Sequence, residues 1–302
     1  MPNEITLNNG QLRTVLTPAE GAGTLSFDAL HNGQWLPIMP DARQPDCDLG
    51  ASDFLMLPYS NRIENGRFTF AGQTHQLAHG ERHSIHGDTR QRAWRVTESS
   101  STRLVCIFES SDYQGVNWPW PFAARVTYEL DGLTFASEIT LWNRGETSMP
   151  AGFGWHPYFS RSLTQAGEPV WLQMRVTHVY PDANGNRIPS GPAQPLSTAQ
   201  DFGAGKELTP DLALDACFYG YDGQGRIAWP ESGVALSFDC SPECSHLILY
   251  NPARPYFAAE PVTNANNGVN LLAAGDETSG VVVLAPGAEL SAFMKLTVTL
   301  EG

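Results

Sequence analysis

One histidine in this chain sits inside an aromatic run: Gly152-Phe153-Gly154-Trp155-His156-Pro157-Tyr158-Phe159. An imidazole can give or take a proton near neutral pH, and flat aromatic faces stack on sugar rings. Pro157 has no backbone donor and biases His156 toward extended backbone. Gly152 and Gly154 remove side-chain bulk, so something can approach the main chain closely there. A lone histidine is most often a core residue with satisfied nitrogens, so its weight depends on company elsewhere. Glu260 follows the apolar run Tyr256-Phe257-Ala258-Ala259 and precedes Pro261. A carboxylate among apolar neighbours is costly unless it is paired, or else its pKa rises and it becomes a useful base. Arg62 in Asn61-Arg62-Ile63, His86 in Ile85-His86-Gly87 and Asp215 in Leu214-Asp215-Ala216-Cys217-Phe218 add polar groups spread along the chain. Singly, each has a structural explanation, Arg62 as a surface cation and Asp215 as a turn residue.

Other local patterns carry less. Gly21-Ala22-Gly23 is half of a dinucleotide fingerprint without a following helix. Cys240, Cys244 and His246 offer three zinc-ligand types but no fourth nearby, and read as structural thiols. His75, His79, His83 and His86 would line one face of a helix, yet Gly72 and Gly80 interrupt it and His75 belongs to a strand pattern, so no metal site is assigned. Trp118-Pro119-Trp120-Pro121 reads as a rigid loop into a strand or as an aromatic wall.

The elements that must position these residues read as strands. Asn-Gly or Asp-Gly pairs begin at 9, 32, 65, 131, 184, 222 and 267, a frequency that points to hairpins rather than helices. Alternating segments flank several of them: 5–16, 25–38, 67–77, 94–98 with 103–109, and 122–130 with 133–142. Further strands are expected at 170–180, 226–229, 234–238, 246–250, 281–284 and 289–300, with a Gly/Pro-rich loop region from 182 to 211 and a helical turn or two near 266–272. The expectation is an all-β chain of stacked sheets, forming one domain over residues 1–302. The formal net charge of −14 disfavours nucleic acid or an anionic membrane as partner. No apolar run is long enough to span a bilayer. The start Met1-Pro2-Asn3-Glu4 lacks a secretion signal, and five scattered cysteines fit reduced thiols. A cytoplasmic protein acting on a small molecule is expected, as a monomer or homodimer.

The ordered set Asn61-Arg62-Ile63, His86-Gly87 with Trp94 downstream, Gly154-Trp155-His156-Pro157-Tyr158-Phe159, Asp215 with Phe218, and Glu260-Pro261-Val262-Thr263-Asn264 resembles the aldose 1-epimerase (galactose mutarotase) family over most of the chain. That resemblance implies a β-supersandwich, no cofactor, and interconversion of the α and β anomers of a free sugar. It implies Glu260 as general base and His156 as general acid, acting on opposite sides of the ring with Glu260 ionised and some His156 protonated. Arg62, His86, Asp215 and Asn61 take substrate-holding positions, and Phe218 is a candidate to stack on the ring face. One departure concerns substrate: His86-Gly87 is followed by Asp88-Thr89-Arg90-Gln91-Arg92 rather than a glycine-containing run. Residues 61–95 hold six arginines against three acids, so a hexose-6-phosphate 1-epimerase using Arg62, Arg90 and Arg92 for phosphate is the alternative. A silent carbohydrate-binding module would not need a facing acid and base, and a glycoside hydrolase using Asp215 and Glu260 would leave His156 unexplained.

Overall fold

A computed structural model describes residues 3–301. Their regular structure is nearly all strand, in antiparallel sheets, with a single α-helix among them at Gly268–Ala273. Hairpins form at the expected turns: Ile5–Asn8 with Leu12–Thr17, Gly23–His31 with Gln34–Met39, and Phe122–Asp131 with Thr134–Asn143. Asn32 and Gly33 both take positive φ, 49° and 78°, the backbone that lets a two-residue turn match the strand twist.

Two large sheets dominate. In the nine-stranded one, Glu289–Leu300 lies between Val234–Cys240 and Thr134–Asn143. Its burial alternates along the strand, with Leu290, Ala292, Met294, Leu296 and Val298 turned into the core, as expected of a sheet with one face on the core. The second large sheet runs Gln194–Pro195, His178–Val179, Leu214–Tyr219, His246–Asn251, Tyr256–Val262, Gly154–Trp155 and Leu55–Met56, with Tyr158–Ser160 also pairing on Tyr256–Val262. Tyr256–Val262 is buried at every position, so both of its faces are covered.

Two expectations are corrected here. Residues 170–180 are not one strand: Trp171–Met174 joins the nine-stranded sheet, and His178–Val179 joins the second. The 182–211 region is not all loop, because Gln194–Pro195 and Phe202–Glu207 pair at the outer edge of each large sheet. Among the described residues no helix is long and apolar enough to cross a membrane, and all five cysteines are free.

Candidate active site

The site is made where a strand ladder opens. Gly154 pairs with Val262 and Tyr158 with Ala258, and the same register carried across the gap puts residue 156 opposite residue 260. Each of these two residues is followed by a proline, and Pro157 and Pro261 have no N–H to give the ladder. Side chains directly opposite on antiparallel strands are close neighbours. His156 Nε2 accordingly lies 3.2 Å from Glu260 Oε1, with both side chains almost fully buried. The His156 backbone N–H donates to the Phe54 carbonyl at 3.0 Å and to Asp53 Oδ1 at 3.0 Å, which pins it from the far side. The close approach at Gly152 and Gly154 is made by the protein itself. A Cβ at 154 would overlap the Val262 side chain, and one at 152 would overlap Asn264.

Aromatic groups surround the imidazole. Phe54 stacks on it with ring centroids 4.4 Å apart, Tyr158 lies at 4.6 Å, and the His86 ring meets it edge-on at 5.2 Å. The Arg90 guanidinium sits over the Phe54 ring, 5.4 Å from its centroid. His86 and Asn61 are held together by a His86 N–H to Asn61 carbonyl bond of 2.7 Å, and both take left-handed backbone, at φ 69° and 53°. Few non-glycine residues do so, and a histidine held there reflects a surrounding structure that over-determines it. Arg62 Nη1 donates to Asn61 Oδ1 at 3.1 Å. A cavity of about 280 Å³ opens beside Phe54, His86, Arg90 and Tyr158, with Asp48 and Glu20 on its rim. A second cavity, of about 460 Å³, is lined by Tyr180, Asp182, Arg187, Asp215, Cys217 and Asn266.

Burial governs the electrostatics. It pushes the Glu260 carboxyl well above the ordinary carboxylate range; Asp215 and Asp53 add to the rise and Arg62 opposes it. It pulls the His156 imidazole down to about 3, with the Arg90 and Arg62 charges acting in the same direction. His86 is lowered too, chiefly by burial and then by His156, Arg90 and Arg62. Burial therefore disfavours both the ionised Glu260 and the protonated His156 that were expected. The cause is the removal of both groups from water. Glu260 Oε2, His156 Nδ1 and His86 Nδ1 are buried without a hydrogen-bond partner, and such orphans are rare except where a site uses them.

The expected residues do not all converge. His156, Glu260, His86, Asn61, Arg62 and Arg90 form one neighbourhood, and Asp215 acts on Glu260 and Arg62 from the second cavity. Phe218 does not belong to the site. It is 1% exposed, packed in the main core with Leu247, Leu249 and Phe257. It lies three positions from Asp215 on the same strand, and odd spacing turns it to the opposite face. Arg92 is paired, its Nη2 2.6 Å from Asp88 Oδ2 and also donating to the Gly115 carbonyl, and it lines a separate cavity with Arg82 and Arg90. The four histidines of the 75–86 tract are used separately. His75 stacks on Phe68, His79 is exposed, and His83 Nδ1 accepts from the Asn65 N–H. Trp118 packs on Tyr59 and Phe68 rather than walling the site. Phe54, Tyr158, Asp53 and Arg187 were not singled out from sequence. Tyr158 lay inside the aromatic run, whereas Phe54, Asp53 and Arg187 carry no motif.

The sequence model of the aldose 1-epimerase family matches residues 3–297. The chain belongs to the aldose 1-epimerase family. Among family relatives, the Escherichia coli K12 protein named uncharacterized protein YphB is 24% identical over 311 residues, covering 97% of this chain and 98% of its own. An E. coli aldose 1-epimerase is 26% identical over 222 residues, 70% of this chain and 63% of that protein. A crystal structure of a galactose mutarotase-like protein from Clostridium acetobutylicum superimposes with a TM-score of 0.82 at 16% identity, covering 99% of this chain and 95% of that one. An aldose epimerase homologue from C. elegans gives 0.81 at 18% identity, over 99% of each chain. At such identities the structural likeness speaks to the fold, which is galactose mutarotase-like.

Proposed function

We propose that this member of the family is a cofactor-independent aldose 1-epimerase acting on a free aldose as one domain, with Glu260 and His156 as its proton-transfer pair. The observation that carries the reading is the 3.2 Å contact between His156 Nε2 and Glu260 Oε1. The anomeric hydroxyl and the ring oxygen are both bonded to C1, so an acid and a base standing side by side can serve both. One partner takes the proton from the C1 hydroxyl while the other gives one to the ring oxygen; the C1–O5 bond breaks, its electrons go to O5, and C1 becomes an aldehyde. After rotation about C1–C2 the same two groups work in reverse and the ring closes on the other face. A pair that shares one proton can do this from the neutral tautomer, the one burial favours, with Glu260 giving the proton and His156 taking one. Arg62 and His86 supply donors, Asp215 an acceptor, and Phe54 and Tyr158 apolar surface. Polarimetry on freshly dissolved α-glucose and α-galactose tests the activity, and sugar binding without faster anomerisation would favour a silent binding module.

A second reading follows from Arg90. It has no carboxylate within ion-pair distance among the described residues, while it lines the cavity beside His86. An unpaired guanidinium there suits a phosphate on the sugar, although Asp48 and Glu20 on the same rim oppose it. Comparing glucose with glucose 6-phosphate decides: a strong phosphate preference abolished by Arg90→Ala would replace the first reading.

The pH profile follows from the pair. A second proton, on His156, removes the acceptor, and loss of the shared proton removes the donor. Because the imidazole is lowered to about 3 and the carboxyl raised, activity should hold through weak acid and fall only as pH nears 3. An acid limb at the ordinary histidine value of 6.5 would count against a buried shared-proton pair.

A further inference from the structure

We propose that Arg187 is a positioning residue of the sugar site, holding Asp215 so that one carboxylate oxygen is left to accept from a sugar hydroxyl. This rests on the epimerase reading and adds to it the loop 182–188, which carries none of the residues assigned above.

The turn is built to place one side chain. Asp182 caps it, its Oδ1 accepting the Asn186 N–H and its Oδ2 the Arg187 N–H, each at 3.0 Å. Arg187 takes left-handed backbone at φ 66°, a conformation that is strained for a non-glycine residue and persists where neighbours enforce it. The neighbour is Asn266, whose Nδ2 donates to the Arg187 carbonyl at 2.8 Å. The next residue, Asn267, donates its N–H to the Arg62 carbonyl at 2.6 Å. Two consecutive residues after the Glu260 strand thus tether the backbones of both arginines.

From this anchored position Arg187 Nε donates to Asp215 Oδ2 at 2.6 Å, and Nη1 is held by the Gly185 carbonyl at 2.8 Å. Among the described residues the other Asp215 oxygen has no hydrogen-bond partner. Asn266 adds a second unused acceptor: it is 5% exposed and its Oδ1 is unpartnered. Glu260 Oε2 is a third. Asp215 and Asn266 line the cavity of about 460 Å³ together, so that cavity offers acceptors to hydroxyl protons. Arg62 stands close enough to feel the charges of Asp215, Arg187 and Glu260. Without Arg187, Asp215 would be left with the Arg62 charge acting on it, and pairing them would remove a donor and an acceptor from the substrate together.

The test uses the full chain with D-glucose and D-galactose, measuring anomerisation by polarimetry and binding by calorimetry. Arg187→Gln is expected to raise KM and Kd about tenfold with kcat within about threefold, the size of one lost charge-assisted contact. Arg187→Lys should recover part of the loss. Combined with Asp215→Asn, the effects should be strongly sub-additive, because each substitution removes the same contact. Unchanged KM and Kd in Arg187→Gln, or fully additive effects, would overturn the proposal; so would a fall in kcat and melting temperature with KM unchanged. If the wild type binds sugar but does not anomerise it, the epimerase reading fails while weaker binding by Arg187→Gln still supports the positioning role. A wild type that neither binds nor turns over either sugar removes both.

Discussion

Glu260→Gln and His156→Asn should each lower the epimerase rate about 10²–10⁴-fold, and the double variant should lose little more than either alone. Glutamine and asparagine keep much of the shape and some hydrogen bonding but can neither surrender nor accept a proton at the reacting oxygens. The side chains they replace stand 3.2 Å apart, so in the proposed shared-proton pair removing one leaves the other without its exchange partner. Independent roles would instead multiply. Rates are to be measured by polarimetry with the spontaneous reaction subtracted, alongside melting temperatures. Glu260→Gln is nearly isosteric and is expected to melt close to the wild type, whereas His156→Asn loses ring contacts with Phe54 and Tyr158 and should melt lower. Full activity in either single variant, or a product of two separate losses in the double, would refute the shared-proton pair.

The hairpins were legible because two local signals agree, period-two burial and turn residues that adopt positive φ. Glu289–Leu300 shows the first and Asn32-Gly33 the second. The strand that carries Glu260 shows neither. Buried on both faces, Tyr256–Val262 has no alternation to read, and Pro261 argues against a central strand on its own. By the same register Pro261 falls opposite Trp155, at the edge of the gap where the ladder with 154–158 is already open. The two features that hide the strand are thus the ones that make the site. Glu260 and His156 could still be picked out by chemistry, a carboxylate in an apolar run and an imidazole in an aromatic one. Their contact could not, because it depends on a register between segments about a hundred residues apart. Phe218 was misplaced for a simpler reason. Asp215 and Cys217 share a face by alternation, and the same parity sends Phe218 to the core. Phe54 and Arg187 lie on segments without periodicity or motif, and only tertiary packing brings them to the imidazole and to Asp215.

Asp53→Asn should stabilise the protein at neutral pH by several kcal/mol, with the difference from wild type vanishing as pH falls to about 4. Asp53 is 1% exposed; burial pushes its carboxyl up from 3.8 to about 8, against the lowering effect of backbone N–H groups of His156 and Phe54. A carboxyl raised on folding stays protonated in the native protein while the unfolded chain has released its proton. Its penalty is therefore absent below pH 3.8, grows as pH rises toward about 8, and levels off beyond. Asparagine keeps the Oδ1 acceptor for the His156 N–H, which Asp53 now fills at 3.0 Å. Its amide takes the place of Oδ2, which has no partner to lose. The titration disappears and the clamp behind the imidazole remains, so activity should persist while chemical denaturation from pH 4 to 9 shows the two curves diverging. Parallel curves would mean that Asp53 ionises at its ordinary value in the folded protein. A variant that gains stability but loses epimerase activity would show instead that the Asp53 charge, not only its hydrogen bond, reaches the catalytic pair, as its influence on the Glu260 carboxyl allows.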